Sequence, residues 1–253
     1  SACGIPVLAP ANVQEYLDYG LHGWAMSRYS GCWVALKLTS DTAESSAVVS
    51  VDPDGYEFRM PTDFQLPPDG VHLRWPDPQL AQEHRLQQYK VYAAIAYARA
   101  NGLNRMIYDS PRPRLGIIAC GKAYMDVRQA LDDMCIDEKF AAEIGLRLFK
   151  VGMPWPLEAE SVRHFAEGLE EILVVEEKRQ IIEYQLKEML YNWREDVRPR
   201  VVGKYDETGE WSLPEHRWLL PPTAELTPAI VARAIAGRIG RFHTSPRIAG
   251  HIA

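Results

Sequence analysis

Three short apolar runs, each followed by a stretch of helical periodicity, organise the chain. Leu115-Gly116-Ile117-Ile118-Ala119 is unbroken by polar residues, as a strand buried on both faces requires, and Gly121 follows it. Behind it Tyr124, Val127, Leu131 and Met134 recur at steps of 3, 4 and 3, which lines one face of a helix. The second run, Leu146 to Val151, stops at Gly152, and Val162, Phe165, Leu169 and Ile172 repeat the same steps. The third, Ile172 to Val175, leads to Ile182, Leu186, Met189 and Leu190. Three strand–helix units in succession predict a parallel sheet covered on both faces by right-handed crossovers.

Upstream, Val13 to Ser30 predicts a helix with Tyr16, Leu17, Leu21 and Trp24 as its apolar or aromatic positions, and Cys32 to Leu38 predicts a strand. Asp52-Pro53-Asp54-Gly55 and Pro67-Pro68-Asp69-Gly70 are turn signals, so residues 50–79 read as a linker or long irregular excursion. Leu80 to Ala100 is an Ala-rich helix stopped by Asn101-Gly102, and Pro111 and Pro113 set an extended lead-in to the first apolar run. Asp206-Glu207-Thr208-Gly209 reads as a turn. Thr227 with Pro228 marks the start of a last helix running through Ile239. Four segments result: 1–50 as the end of an α/β domain, 51–110 as linker and helix, 111–200 as a parallel α/β domain, and 201–253 as a linker and helix leading to a further domain.

Composition narrows the function classes. The 253 residues carry 28 Lys+Arg against 34 Asp+Glu, a net −6, with 47% hydrophobic positions. That is a globular composition, and no basic field of the kind a phosphate backbone demands is present, so nucleic acid is not an expected partner. The longest apolar runs fall far short of the roughly 20 residues a membrane span needs, so no membrane association is expected. Ser1-Ala2-Cys3-Gly4 has no signal-peptide layout and reads as an added scar or a cut end. Cysteines at 3, 32, 120 and 135 show no C-x-x-C spacing and read as reduced, cytosolic thiols. The seven His, at 22, 72, 84, 164, 216, 243 and 251, show no metal-ligand spacing, and no metal site is expected. After Thr227 come four Arg and no acid, which suits a helix C-terminus.

In an open parallel sheet, ligands sit at the carboxyl ends of the strands. Those ends place Gly121 and Lys122, then Gly152 to Pro156 with Trp155, then Glu176 and Glu177, as candidates. Gly121 permits a tight turn, the following helix N-terminus offers free N–H groups, and Lys122 adds charge for an anion. Glu176 and Glu177 are adjacent, so on extended backbone they point to opposite sides and cannot form one acid–base pair. Trp155 between two prolines is a candidate interface anchor. Asp41 and Glu44, behind the Cys32–Leu38 strand, form a further candidate ligand loop. There is no G-x-G-x-x-G after a strand, no G-x-x-x-x-G-K-[ST] and no G-x-S-x-G, which argues against a nicotinamide dehydrogenase, a P-loop enzyme and a serine hydrolase.

Leu21-His22-Gly23-Trp24-Ala25-Met26-Ser27-Arg28-Tyr29-Ser30-Gly31, with Trp33-Val34 through Ser46, resembles the end of the pyrimidine-binding domain of indolepyruvate ferredoxin oxidoreductase in its long, fused bacterial form. His72-Leu73-Arg74-Trp75-Pro76-Asp77 resembles it too. Leu115 to Asp133, Lys150 to Leu157 and Leu173-Val174-Val175-Glu176-Glu177-Lys178 resemble that family's next domain, which is similar to the C-terminal domain of transketolase. The likeness runs from about Ile5 to about Ile239. It implies an α/β fold with a transketolase C-terminal-like parallel sheet, preceded by the end of a pyrimidine-binding-type domain.

The resemblance further implies thiamine-diphosphate-dependent oxidative decarboxylation of aryl pyruvates to acyl-CoA, with electrons passing through iron–sulfur clusters to ferredoxin. In that family a Glu early in the pyrimidine domain activates the cofactor, and a G-D-G…N motif holds its Mg²⁺ and diphosphate. This chain contains no Gly-Asp-Gly and no cluster cysteine motif, and the likeness begins after the region of that Glu. Thiamine diphosphate, Mg²⁺, iron–sulfur clusters and CoA are therefore expected in the whole enzyme, and no cofactor or catalytic residue in this chain alone. Related separate-subunit enzymes carry a Thr-Thr-Arg-like sequence where this chain reads Thr39-Ser40-Asp41-Thr42, which sets the Asp41 loop apart from the family pattern. The expected partners are other domains or subunits of the same oxidoreductase, ferredoxin for the whole enzyme, and a second copy of the chain in a homo-oligomer. The alternative is a free-standing module that binds an anion such as CoA, or docks a subunit, at Gly121, Lys122 and Glu176.

Overall fold

The computed structural model describes residues 3–207, 209 and 218–252. Ser1-Ala2, Thr208 of the expected turn and His216 lie outside the described residues. The chain folds into two units, one of residues 1–104 with 152–161, the other of 105–151 with 162–253.

The first unit opens with a strand–helix–strand crossover of β1 (Val7–Leu8), α1 (Val13–Ser30) and β2 (Ala35–Leu36), with Val7 opposite Ala35 and Leu8 opposite Leu36 in parallel. The helix has the bounds its periodicity predicts. Asn12 caps it by accepting the Glu15 N–H at 3.0 Å, and Gly31, at φ 70°, ends it. The strand expected over Cys32–Leu38 shrinks to two residues, because β1, its one sheet partner among the described residues, is itself two residues long. α2 (Ser40–Ala43) takes up the following loop.

Residues 44–78 hold neither helix nor strand. They are nevertheless tied down within this unit. Gln14 exchanges side-chain hydrogen bonds with the Ser50 backbone, Tyr56 donates to Asp18, Asn101 bonds the Arg59 backbone, and Asp63 pairs with Arg99 at 2.6 Å. The stretch is thus an irregular arm laid on helices of its own unit rather than a free linker. The Ala-rich helix follows as α3 (Gln79–Arg85), one π turn over 86–90, and α4 (Val91–Ala100), ending at Asn101-Gly102 as expected. Leu8, Tyr19, Met26, Tyr97, Leu103 and Met153 are among the residues that form the core.

The second unit carries β3 (Asn104–Tyr108), β4 (Leu115–Cys120), α5 (Gly121–Asp133), α6 (Glu138–Ile144), β5 (Leu146–Val151), α7 (Ala159–Ala166), β6 (Glu171–Val175), α8 (Ile182–Leu190), β7 (Arg200–Val202), α9 (Pro228–Ile239) and α10 (Pro246–Ile252). Its strands lie in the order β3-β5-β4-β6-β7, and β4 runs parallel to both β5 and β6, as β6 does to β7. Every residue of β4, β5 and β6 is buried, as strands covered on both faces must be. At Gly116 a Cβ would lie 2.5 Å from both the Phe165 ring and Leu169, so this position in the middle strand accepts only glycine without repacking.

Two expectations need correcting. The helix after β5 ends at Ala166, because Gly168 turns the chain at φ 78°; Leu169 sits in that turn and Ile172 in β6. The last helix does not stand apart from the sheet: α9, capped by Thr227 with Pro228 at its first position, packs against α5 within the sheet unit. Trypsin is expected to cut first at Arg59 or Arg74 in the irregular arm and to leave 115–190 intact; early fragments that begin or end inside 115–190 would contradict this division.

Candidate functional site

At the carboxyl ends of β4, β6 and β7 the structure gathers Gly121, Lys122, Glu176, Glu177 and Lys204. Gly121, at φ 54°, turns the chain out of β4 into α5. The next residue, Lys122, directs its ammonium to Asp126 at 3.1 Å, to Glu177 at 3.6 Å and to the Leu226 carbonyl at 2.5 Å. Glu177 in turn accepts the Leu226 N–H at 3.2 Å. An ammonium has three donors, and these oxygens face them. The segment before α9 is therefore strapped across the strand ends: Lys178 donates to Ala224 at 2.7 Å and Lys204 to Pro221 at 3.3 Å.

Glu176 has a different task. It is buried, and its carboxylate accepts the N–H groups of Ile181, Ile182 and Glu183 at 2.9–3.1 Å, ordering the turn into α8. Burial pushes its carboxyl above the usual range, against the pull of those three hydrogen bonds. Lys204, almost fully buried, donates to the Glu176 carbonyl at 2.5 Å; burial lowers its ammonium while Glu176, Glu177 and Glu183 draw it back up. The adjacent glutamates thus hold separate partners, which accords with their pointing apart.

The remaining candidates lie elsewhere. Gly152 to Pro156 follows β5 but belongs to the first unit. There Val7 donates to the Trp155 carbonyl at 2.7 Å and Ala9 to the Gly152 carbonyl at 2.8 Å. The Asn104 side chain accepts the N–H groups of Gly152 and Met153 at 3.0 and 2.9 Å. Trp155 is half-buried beside β1, and its bond to Pro156 is cis. Asp41 and Glu44 are exposed on and just after α2, also in the first unit. Sequence reasoning missed Asp126, Lys204 and the Leu226 segment. Asp126 stands four residues after Lys122, one helical turn, and was legible in principle; Lys204 follows a three-residue strand with no hydrophobic signal of its own.

The opposite end of the sheet holds a second charged cluster. Arg238 of α9 reaches both Glu171 oxygens at 2.5 Å and Glu207 at 3.2 Å, and Arg241 reaches Glu207 at 2.6 Å. Against the partial burial that opposes ionisation, the Glu207 backbone N–H together with these arginines holds its carboxyl down at about 2. Two of the four arginines after Thr227 are in this way matched by carboxylates of their own unit.

Neither cluster fits a metal–diphosphate cradle. Among the described residues no group of three or more His, Cys, Asp or Glu could hold a metal ion. At the strand ends the cation that would meet a diphosphate already faces two carboxylates.

With this geometry established, the family model "Indolepyruvate ferredoxin oxidoreductase middle domain" matches residues 104–253. The chain belongs to this family. Middle-domain membership covers the whole sheet unit and begins where β3 begins. The chain is 29% identical over 242 residues to indolepyruvate oxidoreductase subunit IorA of Methanothermobacter thermautotrophicus, covering 94% of this chain and 35% of that protein. It is 25% identical to the same-named subunit of Pyrococcus abyssi, covering 93% and 33%. The chain thus spans about a third of the length of the curated relatives it matches. A solved 2-oxoglutarate:ferredoxin oxidoreductase from Magnetococcus marinus shares the fold at TM-score 0.51 and 11% identity, over 92% of this chain and 42% of that one.

If the Lys122 ammonium is structural in this middle domain, Lys122→Met leaves Asp126 and Glu177 facing each other unneutralised. A loss of about 3 kcal/mol in chemical denaturation is expected. A variant of undiminished stability would contradict that role.

Proposed function

We propose that the chain is the middle portion of an indolepyruvate-type 2-oxoacid:ferredoxin oxidoreductase, in which it positions neighbouring domains and does no chemistry by itself. The whole enzyme carries out oxidative decarboxylation of aryl pyruvates to acyl-CoA with thiamine diphosphate, Mg²⁺ and iron–sulfur clusters, and delivers electrons to ferredoxin. Residues 1–50 are in this reading the end of the pyrimidine-binding-type domain, and the sheet around β4 is the transketolase C-terminal-like domain. Its partners are the other domains or subunits of the oxidoreductase, in a cytoplasmic homo-oligomer. Among the described residues no helix is long and apolar enough to cross a membrane.

The observation that carries the reading is the family match over 104–253, joined to strand ends closed by Lys122, Glu177 and Leu226. An anion- or CoA-binding module at Gly121 and Lys122 would have to break these contacts before ligand could enter, so it is the weaker reading. Isothermal calorimetry of the 253-residue chain with thiamine diphosphate and Mg²⁺ is expected to show no binding heat. Tight, Mg²⁺-dependent binding would overturn the non-catalytic assignment.

A further inference from the structure

At the amino end of the sheet, a cleft of about 130 Å³ opens among Arg114, Glu171, Arg200, Arg238, Arg241 and Phe242. All six belong to the second unit. They stand at or just before the starts of β4, β6 and β7, on α9, and in the turn that follows it. Charge in this cluster does not cancel. Counting Glu170, which pairs with Arg114, and Glu207, which pairs with Arg238, four guanidiniums meet three carboxylates and leave one positive charge over.

Two of the guanidiniums are already spent. Arg238 gives Nε and Nη2 to Glu171 and Nη1 to Glu207. Arg114 gives Nε and Nη2 to Glu170 and Nη1 to the Phe242 carbonyl. The other two keep donors in hand. Arg200 comes no nearer than 3.6 Å to Glu171 and 3.9 Å to Glu207, too far for a hydrogen bond, and its guanidinium makes none among the described residues. Arg241 holds Glu207 at 2.6 Å through Nη2, while its Nη1 stays 3.8 Å from Glu171. Both side chains are exposed, and each guanidinium carries five N–H donors. Pinning α9 to the sheet requires only Arg238 with Glu171 and Glu207, so Arg200 adds nothing to that joint.

We propose that this cleft binds a small phosphate dianion, either inorganic phosphate or the phosphoryl end of a phosphomonoester, clamped between Arg200 and Arg241. Guanidinium forks match phosphate oxygens bidentately. The two arginines come from separate elements, β7 and the turn after α9. Four tetrahedral oxygens can meet both, whereas the two coplanar oxygens of a carboxylate are used up by one fork. Arg114 and Arg238, held by their own carboxylates, form the walls. At about 130 Å³ the cleft lies below the roughly 300–1,000 Å³ of sites that enclose a whole small molecule, so the phosphoryl group alone enters. A helix C-terminus disfavours an anion, and α9 ends here, so the guanidiniums carry the binding by themselves. The proposal uses only groups of the second unit and does not depend on the function proposed above.

Calorimetry of the 253-residue chain with inorganic phosphate at fixed ionic strength tests this, because surface charge in general answers to salt and a built site does not. Saturable one-site binding is expected. Arg200→Gln removes one charge-assisted pair and should weaken binding about tenfold or more. Its side chain has no hydrogen bond to lose, so the melting midpoint without phosphate should match the parent's. Arg233→Gln removes the same charge from the exposed face of α9, outside the cleft, and should leave the affinity unchanged. Phosphate should raise the melting midpoint of the parent and of Arg233→Gln, and hardly that of Arg200→Gln. Glycerol 2-phosphate separates the two sources of the group: binding as tight as that of phosphate assigns the cleft to a phosphomonoester, and no binding assigns it to the free ion, with the site standing in either case. No saturable heat with either compound, or equal weakening by the two variants, overturns the proposal. So does acetate that binds as tightly as phosphate, which would make the cleft a carboxylate site.

Discussion

The ammonium of Lys122, helped by those of Lys178 and Lys204, ties the segment before α9 across the carboxyl end of the sheet. It joins the start of α5, the glutamate after β6 and the carbonyl of Leu226 in the segment before α9, three places distant in sequence. The surrounding charges depend on that neutralisation. Asp126 and Glu177 are both largely buried, and both meet the same Lys122 ammonium. The usual ligand crevice of an open parallel sheet is thereby converted into a structural joint.

The joint has a counterpart at the other end of the sheet, where Arg238 grips Glu171 at the start of β6. Together the two clusters fix α9 at both its ends, through the Leu226 segment and through Arg238. Burying charge in this way stabilises little in net terms, but it penalises any packing in which a partner is missing, which favours one arrangement of the tail over others. On the function proposed above, a domain that sets the position of its neighbours needs such a defined surface more than it needs an open pocket. The first unit presents the reverse case: Trp24 and Trp33 stand largely exposed.

The sheet was legible because its strands are buried on both faces. Leu115–Ala119 and Ile172–Val175 are unbroken apolar runs, Leu146–Val151 keeps its apolar character around Arg147 and Lys150, and Gly121 and Gly152 mark two of the strand ends. Edge strands escaped for the converse reason: Asn104–Tyr108 mixes an amide, a cation and apolar residues, and Arg200–Val202 is too short to show a period. The site was half legible. Gly121, Lys122, Glu176 and Glu177 do gather, since strand ends in a parallel sheet are neighbours whatever the loops do. Trp155 does not join them, because the chain after β5 returns to the first unit, a long-range event that local pattern cannot encode. Nor could the sequence show that Lys122 is already engaged, since Leu226 lies more than a hundred residues away.

The central claim, that the strand ends are closed to ligands by the protein's own groups, is tested most directly by ¹⁵N NMR. The amide signals of Gly121, Lys122 and Leu226 would be followed while CoA is titrated into the 253-residue chain to millimolar concentration. The expected result is no saturable shift at these three amides. A saturable shift concentrated on them would show that the crevice opens to an anion, and would contradict a purely structural joint.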